Sequence, residues 1–160
     1  MARSAIHIVQ HRRRREQKTD YQLRLSLLRS GMPRVVVRKS NLYVRGQIIN
    51  YETAGDRVVA QADSAELKAM GWKHSCANVA ASYLTGLLLG KRAGVKDAIF
   101  DIGLQRSTKG NVLYAFLKGV VDAGVAVPHN PEIMPPADRL NGKHIKAEAE
   151  FETVKKKILG

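Results

Sequence analysis

The chain has 160 residues, 44% of them apolar and 26% charged, which suits one domain and leaves too little for two well-built ones. At this size about 70% of the unfolded surface can be buried, so neither disulfides nor a structural metal is needed. The formal net charge is +13, from 27 bases and 14 acids, and +10 of it comes from residues 1–50, with 12 bases against 2 acids. Such a block repels itself unless a polyanion supplies counter-charge, and nucleic acid is the commonest one. Anionic membrane surfaces usually call for an amphipathic apolar face beside the bases. The single cysteine, Cys76, forms no internal bridge and fits a reducing compartment. Ala5 to Val9 is too short for a secretory core, and the four arginines follow it instead of preceding it. The charge-free stretch from Ser75 to Gly90 is 16 residues long and carries Asn78, Ser82 and Thr85, too short and too polar for a bilayer. The expectation is a soluble cytosolic chain.

Residues 1–18 show no helical or alternating apolar period and include Arg12, Arg13, Arg14 and Arg15, so they are expected to form a basic arm without its own core. A helix starts at Thr19 or Asp20, either of which can cap the first N–H groups, and ends at Gly31 before Pro33. Tyr21, Leu25 and Leu28 make a stripe at helical spacing, most simply read as core. Arg34 to Lys39 alternates Arg34, Val36 and Arg38 with Val35, Val37 and Lys39. After the Ser40-Asn41 turn, Leu42 to Asn50 and Arg57 to Ala62 give two more strands, and short turns between them imply an antiparallel meander.

The second half changes character. Ser64 to Met70 reads as a short helix, Ser75 to Leu89 as a longer one closed by Gly90 and Gly94, and Asn111 to Ala123 as a third ended by Gly124. Asp97 to Ile102 is a short strand, and Val125 to Val127 a candidate last one. Helices alternating with strands imply parallel crossovers. The fold class is therefore α/β: a mixed sheet, meander first and then βα units, with helices on both faces. Beyond Pro131, Pro135 and Pro136 the pattern weakens. Lys146 to Leu159 has its glutamates ahead of its lysines, which suits a helix dipole, but its thin apolar content predicts a loosely attached tail. The expected organisation is an arm at 1–18, an α/β RNA-binding domain at 19–130 and a C-terminal extension at 131–160.

Four consecutive arginines are the strongest local signal for a polyanion, because a guanidinium holds phosphate through two parallel N–H bonds; the plainer reading is a solvated charge run or localisation signal. Lys18, Tyr21 and Arg24 continue the basic character. Tyr21 could stack on a base, though its spacing favours core packing. Arg34, Arg38, Lys39 and Arg45 with the Ser40-Asn41 turn form a second basic group, either a phosphate platform or an edge strand defended by charge. Trp72-Lys73-His74 precedes the long helix, where Trp could stack on a base or seal a loop half-buried. His7, His11, His129 and His144 show no metal-ligand spacing with each other or with Cys76. The segment Gln105 to Gly110 lacks the spacing of a phosphate loop. Asp101 ends a strand where an active site would sit, but Asp63, Asp97 and Asp122 give it no evident set of converging partners for two cations. No catalytic arrangement, metal site or cofactor is expected. Asp101 is expected to accept N–H bonds from the Gly103-Leu104 turn.

Arg12 to Tyr21 (RRRREQKTDY) followed by Arg34 to Asn41 (RVVVRKSN) resembles the ribosomal protein that binds 5S ribosomal RNA in the large subunit, the universal L-eighteen family, called L-five in eukaryotes. The likeness continues through Gly71-Trp72-Lys73, Ala81 to Leu88, Asp101 to Leu104 and Val127 to Asn130, over roughly residues 11–145, and is to the compact archaeal type. The resemblance implies a ribonuclease-H-like fold used as a scaffold without catalysis, in the cytoplasmic ribosome. It implies that the protein attaches 5S rRNA to 23S rRNA in the central protuberance, beside neighbouring ribosomal proteins and away from any membrane. It places arm contacts on Arg12 to Arg15, Lys18, Thr19 and Tyr21, and sheet contacts on Arg38, Lys39, Ser40, Asn41 and Arg45. Lys73, His74, Arg106, Lys109, Lys143 and His144 are further candidates. The competing functions are a ribonuclease-H-like metal-dependent nuclease, which would need a carboxylate cluster, and a general RNA chaperone, which would bind many RNAs alike.

Overall fold

The computed structural model describes residues 8–160; the first part of the expected arm lies outside the described residues. One helical turn, α1 (Arg12–Arg15), is followed by α2 (Tyr21–Leu28) and the meander β1 (Arg34–Lys39), β2 (Val44–Asn50) and β3 (Arg57–Asp63). Then come α3 (Glu66–Ala69), α4 (Val79–Ala93), β4 (Ile99–Asp101), α5 (Val112–Asp122), α6 (Ala137–Leu140) and α7 (Glu148–Leu159), with single 3-10 turns at Pro131–Ile133 and Lys143–Ile145. The sheet order is β3-β2-β1-β4, antiparallel through the meander and parallel between β1 and β4. The α/β class and the mixed sheet match the expectation. Val125 to Val127 contributes only an isolated bridge, Asp97 to Ala126, because Val125 N–H turns back to Val120 O.

Strand alternation sorts the sheet into two unlike faces. Across β1 and β2 the inner face carries Val35 opposite Ile48 and Val37 opposite Gly46, and its valines and Ile48 are fully buried. The ring of Phe116 from α5 sits over Gly46, where any side chain would collide with it. α4 is buried on every side from Val79 to Gly90, as expected of a helix that is apolar all round. Its polar residues are satisfied: Ser82 Oγ donates to Val112 O at 2.7 Å and Thr85 Oγ1 to Ala81 O at 2.7 Å. No helix among the described residues is long and apolar enough to cross a membrane. α4 and α5 cross with backbones in contact. A Cβ on Gly86 would overlap the Phe116 carbonyl, and one on Gly119 the Tyr83 carbonyl. Gly90 does not close α4, which runs three residues further to a left-handed cap at Gly94; it instead gives room to Ala123. The N-terminus also differs: the helix begins at Val79, not Ser75, with Asn78 as its cap, the side chain accepting from Ala81 N–H at 2.7 Å.

Two segments contradict the sequence reading. α2 starts as expected, with Asp20 Oδ1 accepting from Gln22 and Leu23 N–H, but it buries no residue. Of the expected core stripe Tyr21 and Leu25 are exposed and only Leu28 is half-buried; Leu23, Arg24 and Leu27 line the cleft over the sheet, where Arg24 reaches Asp56 at 2.8 Å. Among the described elements α2 thus lies on the outer face, while α4 and α5 cover the inner one. At the other end, α7 is no loose tail: Phe151, Val154 and Ile158 are buried, and Phe151 packs against Tyr83 of α4 with centroids 5.6 Å apart. Three apolar residues at helical spacing are enough to bury one face.

Candidate nucleic-acid interface

The outer face of the sheet is built from the other half of the same alternation. Arg38 stands opposite Arg45, and Arg45 opposite Asp63. Two cations directly opposite repel unless each has its own acid. Here Arg45 Nε reaches Asp63 Oδ2 at 2.9 Å, and Arg38 Nη2 turns the other way, to Asp101 Oδ1 on β4 at 3.3 Å. Arg38 is fixed further by donating from Nη1 to the carbonyls of Val37 at 2.7 Å and Asp101 at 3.1 Å. Gly103, at φ +62°, lies under this guanidinium: a Cβ there would come within 2.8 Å of Arg38 Cζ. Arg38 therefore keeps half its surface in solvent with its orientation fixed from below.

Arg34 does not belong to the exposed basic group. Its side chain is 3% exposed and pairs with Asp101 Oδ2 at 3.0 Å and Asp56 Oδ2 at 2.8 Å. A buried guanidinium needs such partners, since an unpaired one carries a heavy desolvation cost. Asp56 also takes Arg24, so one carboxylate ties α2 to β1. Asp101 accepts Gly103 N–H at 2.8 Å, as the turn predicts, and in addition holds two arginines that no local pattern announces.

Residues 11–21, the described side of the expected arm and the start of α2, are held by short local contacts. The left-handed Gln17, φ +52°, ends α1, and Lys18 N–H closes on Arg13 O at 2.9 Å. Arg13 Nε donates to Thr19 Oγ1 at 2.9 Å, which commits Thr19 to positioning an arginine. His11 meets Tyr21 edge-on at 5.4 Å, leaving Tyr21 exposed on the arm side and outside the core. In the β1–β2 turn, Ser40 Oγ accepts Tyr43 N–H at 3.0 Å, so Ser40 shapes the turn while Asn41 stays exposed.

The expected contacts fall into two groups by ion pairing. Arg12, Arg14, Lys18, Arg24, Arg38, Arg45, His74 and Lys143 each have a carboxylate within 4 Å. Among the described residues none stands at that distance from Arg13, Arg15, Lys39, Lys73, Arg106 or Lys109, all of them exposed. Geometry groups them differently. One cleft holds Arg13, Lys18, Thr19, Arg24 and Arg38; another holds Arg38, Lys39, Ser40, Tyr43 and Arg45. Arg38 is the wall they share, and it joins the arm group and the sheet group into one basic surface. Tyr43, which belongs to no sequence motif, lies in the second cleft with Lys68 5.6 Å above its ring.

The remaining candidates sit elsewhere. Trp72 is 2% exposed with Nε1 donating to Ser75 O at 3.1 Å, so it is a core residue and cannot stack on a base. Its neighbours are occupied by α7: Glu150 accepts Lys73 N–H at 3.2 Å and stands 3.5 Å from His74. Lys143 and His144 are exposed on the 3-10 turn ahead of α7. Asp56, Glu150 and the second role of Asp101 are invisible in the sequence, because each depends on which strands and helices become neighbours.

The profile of the family described as "Ribosomal large subunit proteins 60S L5, and 50S L18" matches residues 6–97 and 93–130. The chain is 54% identical over 153 residues to the large ribosomal subunit protein uL18 of Korarchaeum cryptofilum, covering 94% of this chain and 78% of that one. It is 50% identical over 153 residues to uL18 of Methanococcus maripaludis, with 94% and 79% covered. Against uL18 of Caldivirga maquilingensis it is 52% identical over 149 residues, with 91% and 72% covered. Identity at this level over nearly the whole chain places it: it belongs to the archaeal type of this family of large-subunit ribosomal proteins.

Proposed function

We propose that the protein binds 5S rRNA through its arm and the outer face of its sheet, and attaches it to 23S rRNA in the central protuberance of the cytoplasmic ribosome. Neighbouring large-subunit proteins are its further partners, and it works as a scaffold without catalysis, cofactor or membrane. The observation that carries this reading is Arg38 as the common wall of the arm cleft and the sheet cleft, which makes one basic surface from two separate sequence motifs. Phosphates fix register on such a surface, and the exposed Tyr21 and Tyr43 offer rings for unstacked bases. The 3-2-1-4 strand order with a parallel β1–β4 pair supports the ribonuclease-H-like designation. The nuclease reading weakens for a concrete reason: Asp101, the carboxylate at the strand end, is committed to two arginines and a backbone N–H.

The test is competition of labelled 5S rRNA against bulk tRNA in filter binding, with a salt series. 5S rRNA should win clearly; equal competition would favour a general chaperone. Replacing Arg12 to Arg15 with alanine should flatten the log K against log salt slope by about 2–4 units, at roughly 0.7–0.9 for each phosphate no longer neutralised. An unchanged slope moves the site elsewhere.

A further inference from the structure

We infer that the apolar groove beside the Asp97–Ala126 bridge is a docking site for a neighbouring protein, which enters it with an apolar side chain and an adjacent lysine or arginine. This rests on the reading above that other large-subunit proteins are partners, and it names the surface and the chemistry of one of them. The groove lies just ahead of β4, shares no residue with either basic cleft and has a volume of about 580 Å³. Met32, Val121, Val127 and Pro128 give it apolar walls, and no lysine or arginine lines it. That is the reverse of the basic surface, whose walls are arginines.

The one carboxylate of the lining singles out the partner. Asp20, Asp56, Asp63, Asp101, Asp122 and Asp138 each stand within 4 Å of a lysine or arginine. Asp97 is the one other aspartate of the chain; it is exposed, and among the described residues no cation stands at that distance from it. His129, the other polar residue of the lining, is turned to Val127 O at 2.7 Å. In a chain of 27 bases and 14 acids, an unpaired carboxylate beside apolar walls is an exception. Covering it without a counter-charge costs desolvation that apolar contact then has to offset. An apolar ligand brings no such charge, and an RNA strand brings phosphates of the same sign. A polypeptide brings both parts: an apolar side chain for the walls, and a basic one whose stem lies along them while its charge meets Asp97. A pocket filled by such an anchor is where most of the binding energy of a protein interface concentrates.

The test begins with the full chain in three states: free, bound to 5S rRNA alone, and in whole large subunits. Hydroxyl-radical oxidation of Met32 and Pro128 should be alike in the first two and fall several-fold in the third. Protection by 5S rRNA alone, or none in the subunit, overturns the site. In whole subunits, an amine-reactive diazirine on the exposed Lys96, beside Asp97, should link to a segment of another protein with a lysine or arginine next to an apolar residue. Links only to rRNA, to a second copy or within the chain overturn it. That segment, made as a peptide, should bind the free full chain. Asp97→Asn and Ala126→Glu, both at exposed positions, should each weaken it about tenfold or more, as loss of a charge-assisted hydrogen bond or burial of an unpaired charge does. Both variants should hold 5S rRNA as the wild type does. Unchanged peptide affinity in either variant overturns the inference. If tRNA matches 5S rRNA in competition, the 5S reading falls, and the footprint in whole subunits still decides the groove.

Discussion

Helices α2 and α7 reverse what their compositions suggest. α2, YQLRLSLL, is half leucine and buries nothing; α7, EAEFETVKKKIL, is mostly charged or small and buries Phe151, Val154 and Ile158. Spacing decides it. In α7 the three large residues fall three and four apart, one stripe against α4. In α2 the apolar residues come at nearly every second position, which spreads them around the helix instead of along one side. A helix with apolar groups on all sides but only one neighbour leaves most of them in solvent. α2 is then held by Arg24 on Asp56 and by the Asp20 cap, and α7 by packing. The two helices are thus secured by different kinds of force.

The largest effect should come from the packed end. Phe151→Ala removes a ring 1% exposed that meets Tyr83, and should cost about 3–5 kcal/mol in urea unfolding. A loss below about 1 kcal/mol, within the range of a surface substitution, would return α7 to the status of a tail. 5S rRNA affinity at a temperature where the variant is folded should hold, since α7 touches neither basic cleft.

At the electrostatic end the matching change is Asp101→Ala. It strips one of two carboxylates from buried Arg34 and the one paired with Arg38, and breaking a buried pair in this way costs about 3–5 kcal/mol at its upper limit. Asp56 still neutralises Arg34, so the loss should fall below that of Phe151→Ala. RNA affinity should fall as well, because Arg38 loses its orientation. Arg38→Ala should give the complement: about 1–3 kcal/mol of binding with a smaller drop in melting temperature, the guanidinium being half exposed. Loss of stability without loss of binding in Arg38→Ala would make it a packing residue.

How much of the molecule is legible in its sequence follows the range of the interaction. The meander, the Asp20 cap, the Gly103 turn on Asp101 and the Val35/Val37 inner face are local, set by alternation and turn residues a few positions apart. The arm and the β1–β2 turn are legible as basic motifs for the same reason. What the sequence hides is non-local. That Arg34 is buried and Arg38 exposed, two residues of identical type on one face, depends on α2 lying over one end of the sheet and on β4 placing Asp101 beside Val36. Lys73 and Glu150 are 77 positions apart, and no periodicity announces that α7 returns to the loop after Trp72.

The smallest expected effect is the most direct test of the comparison. Leu25 lies on the stripe that helical spacing assigns to the core, yet it is 55% exposed. If the stripe faced the core, Leu25→Gln would remove a buried leucine and leave a buried amide, a loss of about 2–5 kcal/mol for the packing alone. With Leu25 in solvent the change should lie within about 0.5 kcal/mol of zero, as for surface positions away from special features. The control is Arg24→Gln one residue earlier, which removes the Asp56 ion pair while leaving every leucine in place. It should increase amide exchange across α2 more than Leu25→Gln does, because a helix of eight residues that buries nothing depends on its anchors. Should Leu25→Gln prove the more damaging of the two, α2 is held by apolar contact after all, and the contrast with α7 fails.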